Sequence, residues 1–160
     1  MYEYDKRVVL TLDAGGTNFV FSAIQGNNEM ISPIGLPAVS DKHIHIHIPH
    51  LYLPWFLWRL HPPVAISFAF PGPADYENGI IGDLPNFPSF RGGVALGPFL
   101  KHKYGIPVFI ENDGNLFAYG EALSGALPMI NRELSLAGCS REYKNLIGIT
   151  LGTGFGAGVV

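Results

Sequence analysis

Three short stretches of this chain carry residue types that can do chemistry. Asp13-Ala14-Gly15-Gly16-Thr17 follows an aliphatic run, Val8–Leu12. At a strand end, bare backbone N–H groups and a hydroxyl can surround phosphate oxygens, and a carboxylate can hold a hydrated Mg²⁺. The same five residues also suit an ordinary hairpin turn with Gly15 and Gly16 at positive φ. A second glycine turn, Gly152-Thr153-Gly154-Phe155-Gly156-Ala157-Gly158, comes directly after the apolar run Leu146–Leu151. Two such turns could cradle opposite sides of one polyphosphate. The second is not the dinucleotide fingerprint, since no helix pattern follows it, nor a Walker loop, since no Gly-Lys-Ser/Thr is present.

The third stretch, Glu111-Asn112-Asp113-Gly114-Asn115, lies between a strand pattern and a helix pattern. A carboxylate at the helix start can accept a proton from a substrate hydroxyl and so direct attack on a γ-phosphoryl group. A plain helix cap is the other reading of Asp113, with Asn112 then a turn residue. Pro71-Gly72-Pro73 and Leu84-Pro85-Asn86-Phe87-Pro88 follow a buried strand, where loops outside strand ends line ligand crevices. Asn86 offers both donor and acceptor to a polyol, although both segments also read as rigid turns. Glu121 reads as structural, bonded to neighbouring backbone.

These residues need elements to hold them. Val8–Leu12 and Phe19–Ile24 read as strands, and after the turn signal Gln25-Gly26-Asn27-Asn28 the stretch Glu29–Ile34 returns as a third, giving an antiparallel meander. Val64–Phe70, bounded by Pro62-Pro63 and Pro71-Gly72-Pro73, reads as a strand buried on both faces at the centre of a sheet. Val94, Leu96, Phe99 and Leu100, with Lys101, His102 and Lys103 ahead of Gly105, predict a C-capped helix over Val94–Tyr104. Val108–Ile110 predicts a short strand, and Asn112 or Asp113 caps a helix from Gly114 to near Ser124 through Leu116, Phe117, Tyr119 and Leu123. Asn131–Asn145 reads as a polar stretch. Leu146–Leu151 is another strand, which the second glycine turn leads into Ala157–Val160, so the chain stops inside a hairpin. The order points to an α/β protein of two lobes, with the second barely begun. Residues 1–125 are expected to form the first lobe, and 126–160 a linker and the first hairpin of an incomplete second one.

A length of 160 residues bounds the chain at one domain or two small lobes. Apolar residues make up 48% and charged residues 14%, enough for a core and incompatible with intrinsic disorder. A net charge of −3 argues against a broad basic surface, so neither nucleic acid nor an anionic membrane is expected as partner. Cys139, the only cysteine, excludes an intramolecular disulfide and a four-cysteine zinc site, and fits a reducing compartment. Met1–Arg7 carries both charge signs without an apolar segment, and the expectation is a cytoplasmic protein. The apolar tract Ile44–Trp58 is interrupted by His45, His47, Pro49, His50 and Pro54. It falls short of a bilayer span of about 20 residues, and no transmembrane helix is expected.

One segment does not match its surroundings. His43-Ile44-His45-Ile46-His47-Ile48 alternates strictly and is followed by Trp55, Phe56 and Trp58 beside prolines. A histidine-rich metal tract would place His43, His45 and His47 on one strand face. The alternatives are an unusual strand or loop, or an altered reading frame replacing an amphipathic helix. Residues 43–62 are treated as an anomalous insert, and no function is assigned to them.

Taken together, the motifs resemble the ROK family of sugar kinases and related repressors, within the actin-like and hexokinase-like ATPase superfamily. The resemblance is carried by Asp13-Ala14-Gly15-Gly16-Thr17, Pro71-Gly72-Pro73, Leu84-Pro85-Asn86, Glu111-Asn112-Asp113-Gly114-Asn115 and Leu151-Gly152-Thr153-Gly154-Phe155-Gly156. It covers Val8–Ser40 and Val64–Val160 and omits the insert. It implies an actin-like, ribonuclease H-like α/β ATPase lobe with the start of a second similar lobe. It further implies Asp113 as catalytic base, with Asn86, Asn112 and Gly72 as sugar contacts. Asp13, Gly15, Gly16, Thr17, Gly152, Thr153, Gly154 and Gly156 would stand at the phosphates of ATP, which brings Mg²⁺, and no protein metal-ligand set is assigned.

The activity so implied is ATP-dependent phosphorylation of a hexose or hexose derivative, by a chain that looks truncated and is expected to be inactive alone. The competing expectation is a non-catalytic, sugar-sensing regulator or an inactive fragment. Family members continue well beyond this length, often through a cysteine and histidine zinc motif that also supplies a Glu and a His to the sugar, and this chain has no such motif. The repressor branch carries a helix-turn-helix ahead of the first strand, whereas seven residues precede Val8 here, which disfavours DNA binding. The sugar is left open, and a homodimer of the complete protein is an expectation.

Overall fold

The computed structural model describes residues 3–15, 18–37, 62–84, 90–152 and 154–160. The expectations placed on Gly16, Thr17, Asn86, Thr153 and most of the insert therefore lie outside the described residues. The chain divides into two compact units, 1–111 and 112–160.

The first unit is built on one mixed sheet. Strand β1 (Val8–Ala14) alternates: Val8, Leu10, Leu12 and Ala14 are buried, while Asp13 on the opposite face is exposed. That is the period-two pattern of a strand with one face on the core. It pairs antiparallel with β2 (Asn18–Gln25) and parallel with β5 (Ala65–Ala69), which pairs parallel with β8 (Val108–Glu111). The strand read as central is central: β5 lies between β1 and β8, and Ile66 and Phe68 are fully buried. Emptying such a site by Phe68→Ala would cost about 3–5 kcal/mol.

The third strand of the meander differs from expectation. It is split into β3 (Asn28–Glu29) and β4 (Ile34–Pro37), both on the same edge of β2. Glu29 lies opposite Ile24 and Ile34 opposite Phe21, so the returning strand spends two more residues than β2 over that interval. Pro33, inside the gap, has no N–H to give a ladder.

A small hairpin that the sequence did not announce follows β5. Strands β6 (Ala74–Asp75) and β7 (Ile80–Ile81) are joined by a turn in which Asn78 donates from its backbone N–H and its Nδ2 to the Asp75 carboxylate, at 3.1 and 2.8 Å. Ile81, fully buried, exchanges two 2.8 Å backbone hydrogen bonds with Val94. Because Val94 is held in this bridge, helix α1 (Leu96–Tyr104) begins two residues later than its apolar spacing suggested. Leu96 and Leu100 bury its inner face. It ends as predicted: Gly105 takes φ 68° and its N–H donates to the Lys101 carbonyl, a conformation that costs a glycine nothing.

The second unit packs helix α2 (Asp113–Leu123) and helix α3 (Ala126–Leu136) with a hairpin of β9 (Ile147–Leu151) and β10 (Phe155–Val159). Helix α3 overlaps the start of the stretch read as polar, Asn131–Asn145. Pro128 in its first turn reads locally as a breaker, yet the N–H it lacks has no intrahelical partner at that position anyway. Glu121 accepts from the Ala126 N–H at 2.7 Å and so ties the end of α2 to the start of α3, the structural role expected of it. Among the described residues no helix is long and apolar enough to cross a membrane.

Candidate functional site

Within the first unit, the parallel strands end together. Asp13 on β1, Ala69 on β5 and Glu111 on β8 stand in one register row across the sheet. Ligands of open α/β sheets bind outside such carboxyl ends. Asp13 is exposed there. Gly15 follows without the positive φ that a hairpin-turn glycine would take. A Cβ on it would lie 3.1 Å from the Asn18 carbonyl oxygen, so glycine is kept there for space.

The loop after β5 leaves the same edge. Phe70 is buried, its N–H donates to the Glu111 carbonyl at 2.9 Å, and its ring meets that of Phe90 at 5.4 Å between centroids. Pro71, Gly72 and Pro73 follow, with Gly72 exposed. Two contacts from the β6–β7 hairpin fasten this loop: the Tyr76 hydroxyl donates to the Phe70 carbonyl at 3.1 Å, and the Gly82 N–H donates to the Pro73 carbonyl at 2.9 Å. The structure thus brings Asp13, Gly15 and Gly72 to one edge of one sheet. Tyr76 was not singled out from sequence, and a tyrosine in a short turn carries no signal that could have marked it.

In the second unit Asn112 and Asp113 open α2. The Asn112 side-chain oxygen accepts from the N–H groups of Gly114 and Asn115 at 3.0 and 3.3 Å, so this residue caps the helix. Asp113 is the first helical residue, exposed, with one carboxylate oxygen 2.9 Å from the Gly114 N–H. A carboxylate so placed is held by the helix yet reachable by a substrate hydroxyl.

The glycine turn sits on the same unit. The Gly152 N–H closes the turn on the Gly154 carbonyl at 3.0 Å, and a Cβ on Gly152 or Gly154 would meet no described atom within 4 Å. Gly156 and Gly158 lie on β10 and face α2. A Cβ on Gly156 would fall 2.5 Å from Thr150 Oγ1, and one on Gly114 2.9 Å from the Ala157 nitrogen. At Gly114 the hairpin therefore lies backbone to backbone on the first turn of α2. Its other face, with Ile147, Ile149, Leu151, Phe155 and Val159, is exposed.

Comparison with known proteins agrees in one direction. The model of the ROK family matches residues 9–160. The glucokinase of Thermotoga maritima is 38% identical over 158 residues, covering 97% of this chain and 45% of that protein. The crystal structure of a glucokinase from Parabacteroides distasonis is 65% identical and superposes with a TM-score of 0.83, over 100% of this chain and 46% of the other. The xylose repressor of Bacillus subtilis is 29% identical over 119 residues, 74% of this chain and 27% of the repressor. The chain spans about half the length of the two glucokinases it matches.

Proposed function

The chain belongs to the ROK family, with that family's actin-like α/β ATPase fold, and from this premise we propose that it carries the base and the phosphate turns of an ATP-dependent hexose kinase. The observation that carries the reading is the exposed Asp113 carboxylate on the first residue of α2, held by the Gly114 N–H rather than by an ion pair among the described residues. In the proposed reaction Asp113 takes the proton of a sugar hydroxyl, the hydroxyl oxygen bonds to the γ-phosphorus of ATP, and ADP leaves with the electrons of the broken P–O bond.

Asn86, Asn112 and Gly72 are proposed as sugar contacts. Asp13, Gly15, Gly16 and Thr17 from one turn, and Gly152, Thr153, Gly154 and Gly156 from the other, are proposed at the phosphates. The exposed Asp13 carboxylate at the sheet edge fits a hydrated Mg²⁺, which would neutralise phosphate charge. The Asn112 oxygen accepts the two cap bonds, so the sugar contact proposed for this residue would be made by the donor end of the amide. A cytoplasmic location and a homodimer of the complete protein complete the proposal.

Similarity to a xylose repressor supports a second reading, a sugar-binding regulator without turnover. A coupled assay for ADP release over a panel of hexoses, run on a full-length form in which the chain is continued to the length of its relatives, separates the two. Hexose-dependent turnover supports the kinase, and hexose binding by calorimetry without turnover supports the regulator.

A further inference from the structure

We infer that Tyr76 is a positioning residue for the loop that presents Gly72, and so sets how tightly the hexose is held; the sugar half of this inference rests on the kinase reading above. The loop leaves β5 through two prolines, and Gly72 is the one residue of Pro71-Gly72-Pro73 with an N–H. With no ladder to join, its place depends on neighbouring groups. Two groups from the β6–β7 hairpin supply the fastening. On one side the Tyr76 hydroxyl donates to the Phe70 carbonyl at 3.1 Å, and on the other the Gly82 N–H donates to the Pro73 carbonyl at 2.9 Å.

The Tyr76 hydroxyl also fills the space beside Gly72: a Cβ built there would lie 3.2 Å from it. The tyrosine ring packs against the core, so the hydroxyl is carried by a fixed support. The hairpin itself is anchored by fully buried Ile81 and by the Asp75–Asn78 turn. A single bond from a half-buried hydroxyl to a carbonyl is enough to hold or release a short loop without unfolding the sheet beneath it.

Tyr76→Phe tests this, because it keeps the ring and removes only the hydroxyl. In the 160-residue chain, amide hydrogen exchange at Gly82, whose N–H is bonded to the Pro73 carbonyl of the same loop, is expected to speed up at least about fivefold, with the thermal midpoint moved by no more than about 2 °C. In the full-length form, the glucose KM is expected to rise about fivefold to tenfold, while kcat and the ATP KM stay within about twofold. Unchanged exchange at Gly82 overturns the brace. Faster exchange with an unchanged glucose KM overturns the link to sugar. A full-length wild type that turns over no hexose, with faster Gly82 exchange in the variant, sinks the kinase reading and leaves the brace standing.

Discussion

Gly114 and Gly158 meet backbone to backbone: a Cβ on Gly158 would overlap the Gly114 carbonyl oxygen and lie 2.7 Å from the Asn115 Cα. The residue before Gly114 is Asp113, and the strand that holds Gly158 begins at the glycine turn. The proposed base and the proposed phosphate turn are thus mounted on one packed unit, with backbone directly against backbone where Gly158 meets Gly114.

This contact separates two kinds of glycine. Gly158→Ala must push α2 away from β10, and is expected to lower stability by about 1–3 kcal/mol in urea unfolding, the scale of overpacking. Gly154→Ala adds a methyl group into open space and should leave stability within about 0.5 kcal/mol. In the full-length form it should nonetheless raise the ATP KM about tenfold, the scale of one lost hydrogen bond to a charged group. An unchanged ATP KM would leave this turn a plain hairpin connection.

Asn112 carries two roles that one pair of substitutions divides. Asn112→Ala removes the cap and should destabilise the protein by about 1 kcal/mol. Asn112→Asp keeps the capping oxygen but loses the amide donor, so stability should be retained while the hexose KM rises several-fold. If the hexose KM of Asn112→Asp matches the wild type, Asn112 is a cap only.

The turn that carries Tyr76 has its own pH signature. Two hydrogen bonds from Asn78, the side-chain one first, hold the Asp75 carboxyl below the usual carboxylate range. A depressed folded value means that the turn's contribution is present above the unfolded value, about 3.9, and is lost as pH falls through the folded one. Asn78→Ala should move the Asp75 titration, followed by NMR, upward toward the ordinary value. A titration that stays in place would show that the depression has another source.

Much of this arrangement was legible in the sequence because it rests on local rules. The alternation in β1, the apolar run of β5, the Gly105 stop and the Asn112 start each follow from a few neighbouring residues. Helix α3 escaped because its second half falls in the stretch read as polar, while its start is tied down by a contact, Glu121 to the Ala126 N–H, that periodicity does not register. The split of β3 from β4 turns on the single missing N–H of Pro33. Strands β6 and β7 are two residues each, too short for any alternation to show. The meeting of Gly114 with Gly158 joins positions far apart in the chain, and only the fold reveals it. Among the motifs, the register row of Asp13, Ala69 and Glu111 explains why residues distant in sequence reach one sheet edge.

If Asp113 is the general base, the turnover of Asp113→Asn in the full-length form must show it. Asparagine keeps an oxygen for the Gly114 N–H, so the helix start and thermal midpoint should be preserved, and hexose affinity by calorimetry should stay within a few-fold. The kcat for hexose phosphorylation should fall at least about 100-fold, the usual scale for removing a general base. A folded Asp113→Asn protein that phosphorylates hexose at the wild-type rate would contradict it.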